Sequence, residues 1–193
     1  MQFVFDLLQG IGIAAAVGIR PMLPVLLAGA LASANVGLDF EGTDFAFLES
    51  WPFLLAAVLV AAGLVFAGRA RAVEPPALVY GLAVLCVVLG VLEAAGSLAD
   101  HGHSIVPGVL LGAAAAVLGF LAARSLFTRV RRRLDDEAAA ALPVYAEGTA
   151  LAAAGLSILF PPLAILVVGG LAWLLLGSRR REGEKYAGLR VLR

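Results

Sequence analysis

Residues 17–29 read VGIRPMLPVLLAG. An arginine stands between two prolines inside a run that is otherwise apolar, and the reading of this stretch decides whether the first hydrophobic segment is one helix or two. From Phe3 to Val36 a straight helix would extend about 50 Å, well beyond the roughly 30 Å hydrocarbon core of a bilayer. Something in it must bend. Pro21 and Pro24 each lack an N–H, so carbonyls one turn earlier, around Val17 and Arg20, lose their partners, and Gly18 opens space beside them. The spacing predicts a helix broken between Gly18 and Pro24. Freed carbonyls and a guanidinium form a polar notch, which is tolerated at membrane depth only where protein buries it or water reaches it. In a second reading QFVFDLLQG, with Asp6 and Gln9 among Phe3, Phe5, Leu7 and Leu8, lies flat in the cytoplasmic interface as an amphipathic lead-in. The first span then begins near Ile13.

The surrounding composition supports a membrane setting. The chain has 193 residues, 62% of them hydrophobic and 15% charged, whereas soluble domains are about a quarter charged. Six apolar stretches stand out, at roughly 13–36, 50–68, 76–99, 105–127, 138–160 and 162–178. Backbone groups in lipid must be satisfied within the segment, so these runs are helices. The expected fold is an all-α integral membrane bundle of about six transmembrane helices forming a single domain, with 179–193 as a basic cytoplasmic tail. LASAN at 31–35 has the small residues of a signal-peptidase site, but no basic region precedes the apolar run, which is also too long; it reads as a retained segment. Cys86 is the sole cysteine, so there is no disulfide framework or cysteine metal site, and it reads as a small buried hydrophobe.

Charge is distributed to one side. The segment LDFEGTDFAFLES at 38–50 carries Asp39, Glu41, Asp44 and Glu49 and no base, and the turn after the third stretch carries Asp100, His101 and His103. Arg69 and Arg71 follow the second stretch, Arg124, Arg129, Arg131, Arg132 and Arg133 follow or close the fourth, and Arg179, Arg180, Arg181, Lys185, Arg190 and Arg193 follow the sixth. In a six-helix threading every base except Arg20 falls on one side. Bias of this kind places the basic side in the cytoplasm. The arginine-rich, alanine-rich composition suggests a bacterial source, so the expected location is a bacterial cytoplasmic membrane with both termini cytoplasmic.

LPVLLAGALA at 23–32 resembles VPGVLLGAAAA at 106–116, which makes a three-plus-three inverted repeat one reading of the layout. Gly108 and Gly112, continued by Ala113 and Ala116, form a small-residue face that lets helix backbones approach closely, so the fourth stretch should be central.

The sequence holds no phosphate-cradling glycine loop, nucleophile elbow or metal-ligand cluster. His101 and His103 beside Asp100 read as an exposed polar turn. RVRRRLDD fits topology and contact with anionic lipid head groups, not nucleic acid. Candidate chemistry lies in the ionisable groups within the spans: Arg20, Glu93 and Glu147. A charge near a helix centre costs at least about 2.5–3.5 kcal/mol and usually faces a partner or water. Arg20 alone could snorkel to the head groups. A glutamate as deep as Glu147 must be neutral or paired with a cation, and Pro143 and Tyr145 precede it in a loosened helix. A pair between Arg20 and Glu147 is expected; breaking it would cost roughly 3–5 kcal/mol if dry. The pair of prolines at 161 and 162 makes a tight turn between the last two helices.

GIRPMLPVLLAG, the SWP that opens the second stretch, LEAAGSLAD at 92–100 and the closing KYAGLRVLR together resemble the domain-of-unknown-function 4126 family of small bacterial multi-helix membrane proteins. The resemblance covers nearly the whole chain, its most specific parts being G-x-R-P-x-x-P and GLR-x-L-R. It implies a location and no activity. In place of a longer charged element after the third helix this chain has only DHGHS.

The leading functional expectation is a small transporter or channel-like protein with Arg20, Glu93 and Glu147 in its polar interior. Six helices enclose little space, so a homo-oligomer is expected, with membrane lipids as partners, an unidentified small molecule or ion as substrate, and no cofactor. The alternative is a non-transporting scaffold or assembly factor whose buried charges fix helix register. An intramembrane lipid-modifying enzyme fits least, because only Ser97 offers a hydroxyl near Glu93.

Overall fold

The proline-flanked arginine does more than kink a helix; it reverses the chain. The computed structural model describes residues 1–69 and 75–187, except for the side chains of 67–69, 136–137 and 178–187. Among the described residues there are seven α-helices and no strand: α1 Gln2–Ile19, α2 Met22–Ser33, α3 Trp51–Arg69, α4 Pro76–Ala99, α5 Val106–Arg131, α6 Asp136–Leu159 and α7 Ala164–Ala187. Arg71 and the 188–193 part of the tail, including GLR-x-L-R, lie outside the described residues.

α1 ends where its sequence says it must. Arg20 precedes a proline, which disfavours helical backbone, and it is extended at φ −151 and ψ 120. Pro21 caps α2, and Pro24 falls in its first turn, where the missing N–H would have had no helical acceptor anyway. Only Pro21 therefore removes a bond from α1; the expected second lost partner, at the Arg20 carbonyl, is not a helical acceptor at all. Gly18 does not open space. A Cβ there would fall on the Ala116 carbonyl oxygen of α5, so glycine is needed for close backbone contact.

α2 runs back along the bundle. The Gln9 amide donates to Gly37 O at 2.5 Å and to Ile158 O at 3.2 Å, placing the far end of α2 beside the first half of α1. The expected single span over residues 13–36 is thus replaced by the second half of α1 and a returning helix. With 12 residues, α2 rises about 18 Å and does not cross a bilayer core alone. The interfacial lead-in is also corrected. Residues 2–10 belong to α1 itself, and Asp6 and Gln9 are 4% and 5% exposed, because α4, α5 and α6 surround the helix.

Helix directions follow from matched positions. Gly10 lies against Ala94 and Gly90 against Ala14, so α4 is antiparallel to α1. Arg20 meets Glu147 and Gly12 meets Ser157, so α6 is also antiparallel. Ala164 sits beside Gly12, and Val167 packs on the cluster that holds Ala16, so α7 runs parallel to α1. The amino-terminal end of α1, with Asp6 against His101 and His103, therefore lies at the opposite end of the bundle from the last turns of α5 and α7. The expected layout, with both termini cytoplasmic, does not include α1 as a helix of its own, although its 18 residues are long and apolar enough to cross a membrane. The α1–α2 turn brings Arg20 to the end that carries Arg124, Arg131 and Arg132, so Arg20 is no longer the exception to the charge pattern.

α1, α4 and α5 pack most intimately, through small residues. A Cβ on Gly112 would approach Ala94 Cβ to 2.6 Å, one on Gly108 would approach Ala94 O to 2.6 Å, and one on Gly119 would fall on Ala15 O. Without a hydrophobic drive between helices in lipid, such close approach supplies the dispersion contact that holds them. The outer surface is apolar: Trp51, Phe66, Leu110, Val144, Leu166 and Trp173 are each about two-thirds exposed or more. Among the described residues four helices are long and apolar enough to cross a membrane, Gln2–Ile19, Pro76–Ala99, Val106–Arg131 and Ala138–Leu159. The two stretches of the suggested repeat occupy unlike places: residues 23–32 lie on α2 against α3 and α6, whereas 106–116 lie on α5 between α1 and α4.

Candidate functional site

At the basic end a cavity of about 700 Å³ opens beside the α1–α2 break, lined by Ile19 and Arg20, by Phe120, Arg124, Thr128 and Arg131 of α5 with Arg132 just after it, and by Ala139 and Pro143 of α6. Each part of this lining has a local cause. Pro21 ends α1 and leaves Arg20 at its tip. Pro143 lies inside α6 and deprives the Ala139 carbonyl of its helical donor, giving the cavity wall a polar backbone group. α5 continues to Arg131, beyond the expected end near 127, and so carries its bases on the helix.

Arg20 Nε lies 3.9 Å from Glu147 Oε1, with the two side chains 33% and 30% exposed. The pair is loose: Glu147 Oε2 is buried without a hydrogen-bond donor among the described residues. Such an arrangement can open, exchange its counter-ion or admit a third polar group. Glu93 lies elsewhere. It is wholly buried on α4, and neither carboxyl oxygen has a donor among the described residues. The structure thus brings Arg20 and Glu147 together and leaves Glu93 sealed in the interior.

The opposite end holds a polar cluster that the sequence reading passed over. Asp6 Oδ2 is 3.1 Å from His103 Nδ1 and 3.3 Å from His101 Nδ1. Ser97 donates to Asp6 O at 2.9 Å and to Gln9 Oε1 at 3.3 Å, and the Phe3 ring meets His103 edge-on at 5.3 Å. The histidines are not a bare exposed turn; they bracket a buried carboxylate. The available signal was the placement of Asp6, Gln9 and Ser97 in otherwise apolar helices. Asp100, at the end of α4, accepts from Asp39 N at 3.3 Å. Burial pushes its carboxyl above the ordinary carboxylate range, assisted by neighbouring Asp39 and Asp6, while His101 and the Asp39 N–H pull it down. Among the described residues no group of three or more His, Cys, Asp or Glu side chains is arranged to hold a metal ion.

The architecture defines a helical protein with four potential membrane-crossing helices and an arginine-lined cavity at one end. Comparison with protein-family models, with curated proteins and with solved structures gives no match.

Proposed function

We propose that this chain is a small multi-pass membrane transporter or channel-like protein whose basic-end cavity is lined by Arg20, the residue that meets Glu147 beyond the lining. The observation that carries this reading is a partly exposed ion pair at a helix break, whose Arg20 lines a cavity large enough for a small molecule. Ionisable groups retained inside membrane segments usually mark pathways or partners. The positive-inside bias sets the basic end in the cytoplasm of a bacterial cell, which puts the amino-terminal end of α1 and the Asp6–His101–His103 cluster on the outer side. The resemblance to the domain-of-unknown-function 4126 family agrees with that setting and adds no activity.

The sealed position of Glu93 favours the second reading, a membrane scaffold in which buried polar groups fix helix register. Flux separates the two. Proteoliposomes with an enclosed pH dye and an imposed potassium diffusion potential report proton movement, and a phosphate-sensing dye reports anion movement. Transport predicts flux well above that of protein-free vesicles, reduced roughly tenfold by Glu147→Gln. Equal rates in wild-type, variant and empty vesicles, for both probes, would exclude transport and favour the scaffold.

A further inference from the structure

A second concavity joins the arginine-lined cavity. This groove of about 530 Å³ runs between α4 and α5, lined by Pro76, Val79, Tyr80, Ala83 and Val87 on one side and by Val117 and Leu121 on the other. An apolar groove therefore lies beside a cationic chamber, with Phe120 and Arg124 common to both walls.

The sequence of α5 explains the change in character. Val117, Leu121, Arg124, Thr128 and Arg131 follow at alternating steps of four and three, which keeps them on one helix face. Along that single face the lining passes from aliphatic to cationic. Arg20, Arg124, Arg131 and Arg132 line the chamber, Arg20 also meeting Glu147 just outside the lining. The lining therefore suits a ligand with a concentrated negative charge, and arginine in particular suits phosphate through its planar array of donors.

Length fixes the other half of the ligand. From Pro76 to Val87 the α4 wall rises about 16 Å, close to half of the roughly 30 Å hydrocarbon core. The groove begins at the basic end and descends toward the bundle middle. Its direction and reach match an acyl chain in the leaflet on the basic side, with the head group level with Arg124 and Arg131.

We propose that the joined groove and cavity form a binding site for an anionic phospholipid, its phosphate held among Arg20, Arg124, Arg131 and Arg132 and one acyl chain lying along Val79, Ala83, Val117 and Leu121. The site starts from the cavity assigned above to transport, but it is read by binding and needs no flux. A chain that binds lipid and moves no ion keeps this site and loses the transport reading; a chain that moves ions and binds no lipid does the reverse.

The test uses the full chain purified in a mild detergent and analysed by native mass spectrometry with added phosphatidylglycerol, phosphatidylcholine or inorganic phosphate. The expected result is retention of one phosphatidylglycerol at least tenfold more strongly than phosphatidylcholine, with millimolar inorganic phosphate failing to displace it. Arg131→Gln with Arg132→Gln, both on the exposed rim, should reduce phosphatidylglycerol retention about tenfold and leave phosphatidylcholine unchanged, while Arg131→Lys should retain most of it. Ala83→Trp, which fills the groove, should weaken phosphatidylglycerol with the arginines intact. Circular dichroism and gel filtration identify folded variants, and only these are compared. Equal retention of the two lipids would overturn the head-group assignment. Displacement by inorganic phosphate together with an unaffected Ala83→Trp variant would replace the lipid site with a soluble-anion site and overturn the proposal.

Discussion

Nε of Arg20, at the tip of α1, lies 3.9 Å from Oε1 of Glu147 in the middle of α6. Both side chains are about one-third exposed, so solvent screens the pair and its worth belongs near the ~0.2–1 kcal/mol of accessible ion pairs. It does not reach the roughly 3–5 kcal/mol of a dry one. Arg20→Leu and Glu147→Leu should each lower the unfolding midpoint in detergent, and the double variant should recover up to about 1 kcal/mol. Additivity within about 0.3 kcal/mol would mean that the two groups do not interact.

The glycine seam predicts position-specific intolerance. Gly112→Leu and Gly119→Leu place side chains against α4 and the α1 backbone, and overpacking of this kind costs at least about 1–3 kcal/mol. Gly63→Ala and Gly81→Ala meet nothing within 4 Å and should stabilise their helices, each by about 0.5–1 kcal/mol. Thermal melts of the four variants give the comparison. Equal effects would refute the close packing of α1, α4 and α5.

Gln9 ties the far end of α2 to the end of α6 through two carbonyls. Gln9→Leu leaves the buried Ile158 carbonyl and the part-buried Gly37 carbonyl without that donor, a loss of about 1–3 kcal/mol. Hydrogen exchange should quicken over residues 34–50 and around Ile158 before it does in α5. Unchanged exchange there would show that the amide does not anchor the turn.

Asp100 gives a pH dependence with a defined sign. Its folded pKa is raised above the ordinary value of 3.8 by burial, so the folded state holds the proton more tightly than the unfolded one. Stability from this group is therefore present at low pH and falls as pH rises from about the ordinary value through the raised one. Asp100→Asn keeps an acceptor for Asp39 N–H, removes the charge and should flatten that part of the profile. A variant whose melting midpoint follows pH as the wild type does would exclude Asp100 as the source.

The path of α1 can be checked by labelling. Single cysteines at Gln2 and His103 should react with an impermeant maleimide from one side of the membrane, and a cysteine at Arg131 from the other. Cys86 is 1% exposed and should give little background. Labelling of Gln2 and Arg131 from the same side would restore the arrangement with both termini on one face.

Local chemistry made much of this fold readable. Pro21 after Arg20 marks a bend or break in such a run, because the pre-proline residue disfavours helical backbone and the missing N–H removes a bond. The apolar runs and the clustering of bases are likewise one-dimensional properties, and they locate most helices and the basic end. The fate of α1 was not readable in this way. Hydropathy records that a segment avoids water but not whether lipid or protein replaces it, so a buried helix carrying Asp6 and Gln9 looks like an amphipathic strip at an interface. Gln9 is met by Gly37, Ser97 and Ile158, and Asp6 lies beside His101 and His103, residues that only the packed bundle brings within reach. The same holds for Arg20 and Glu147, and for the separation of Glu93 from both. Which helix faces which is decided by small-residue packing across α1, α4 and α5, where fractions of an ångström between backbones determine the outcome and no local pattern encodes the partner.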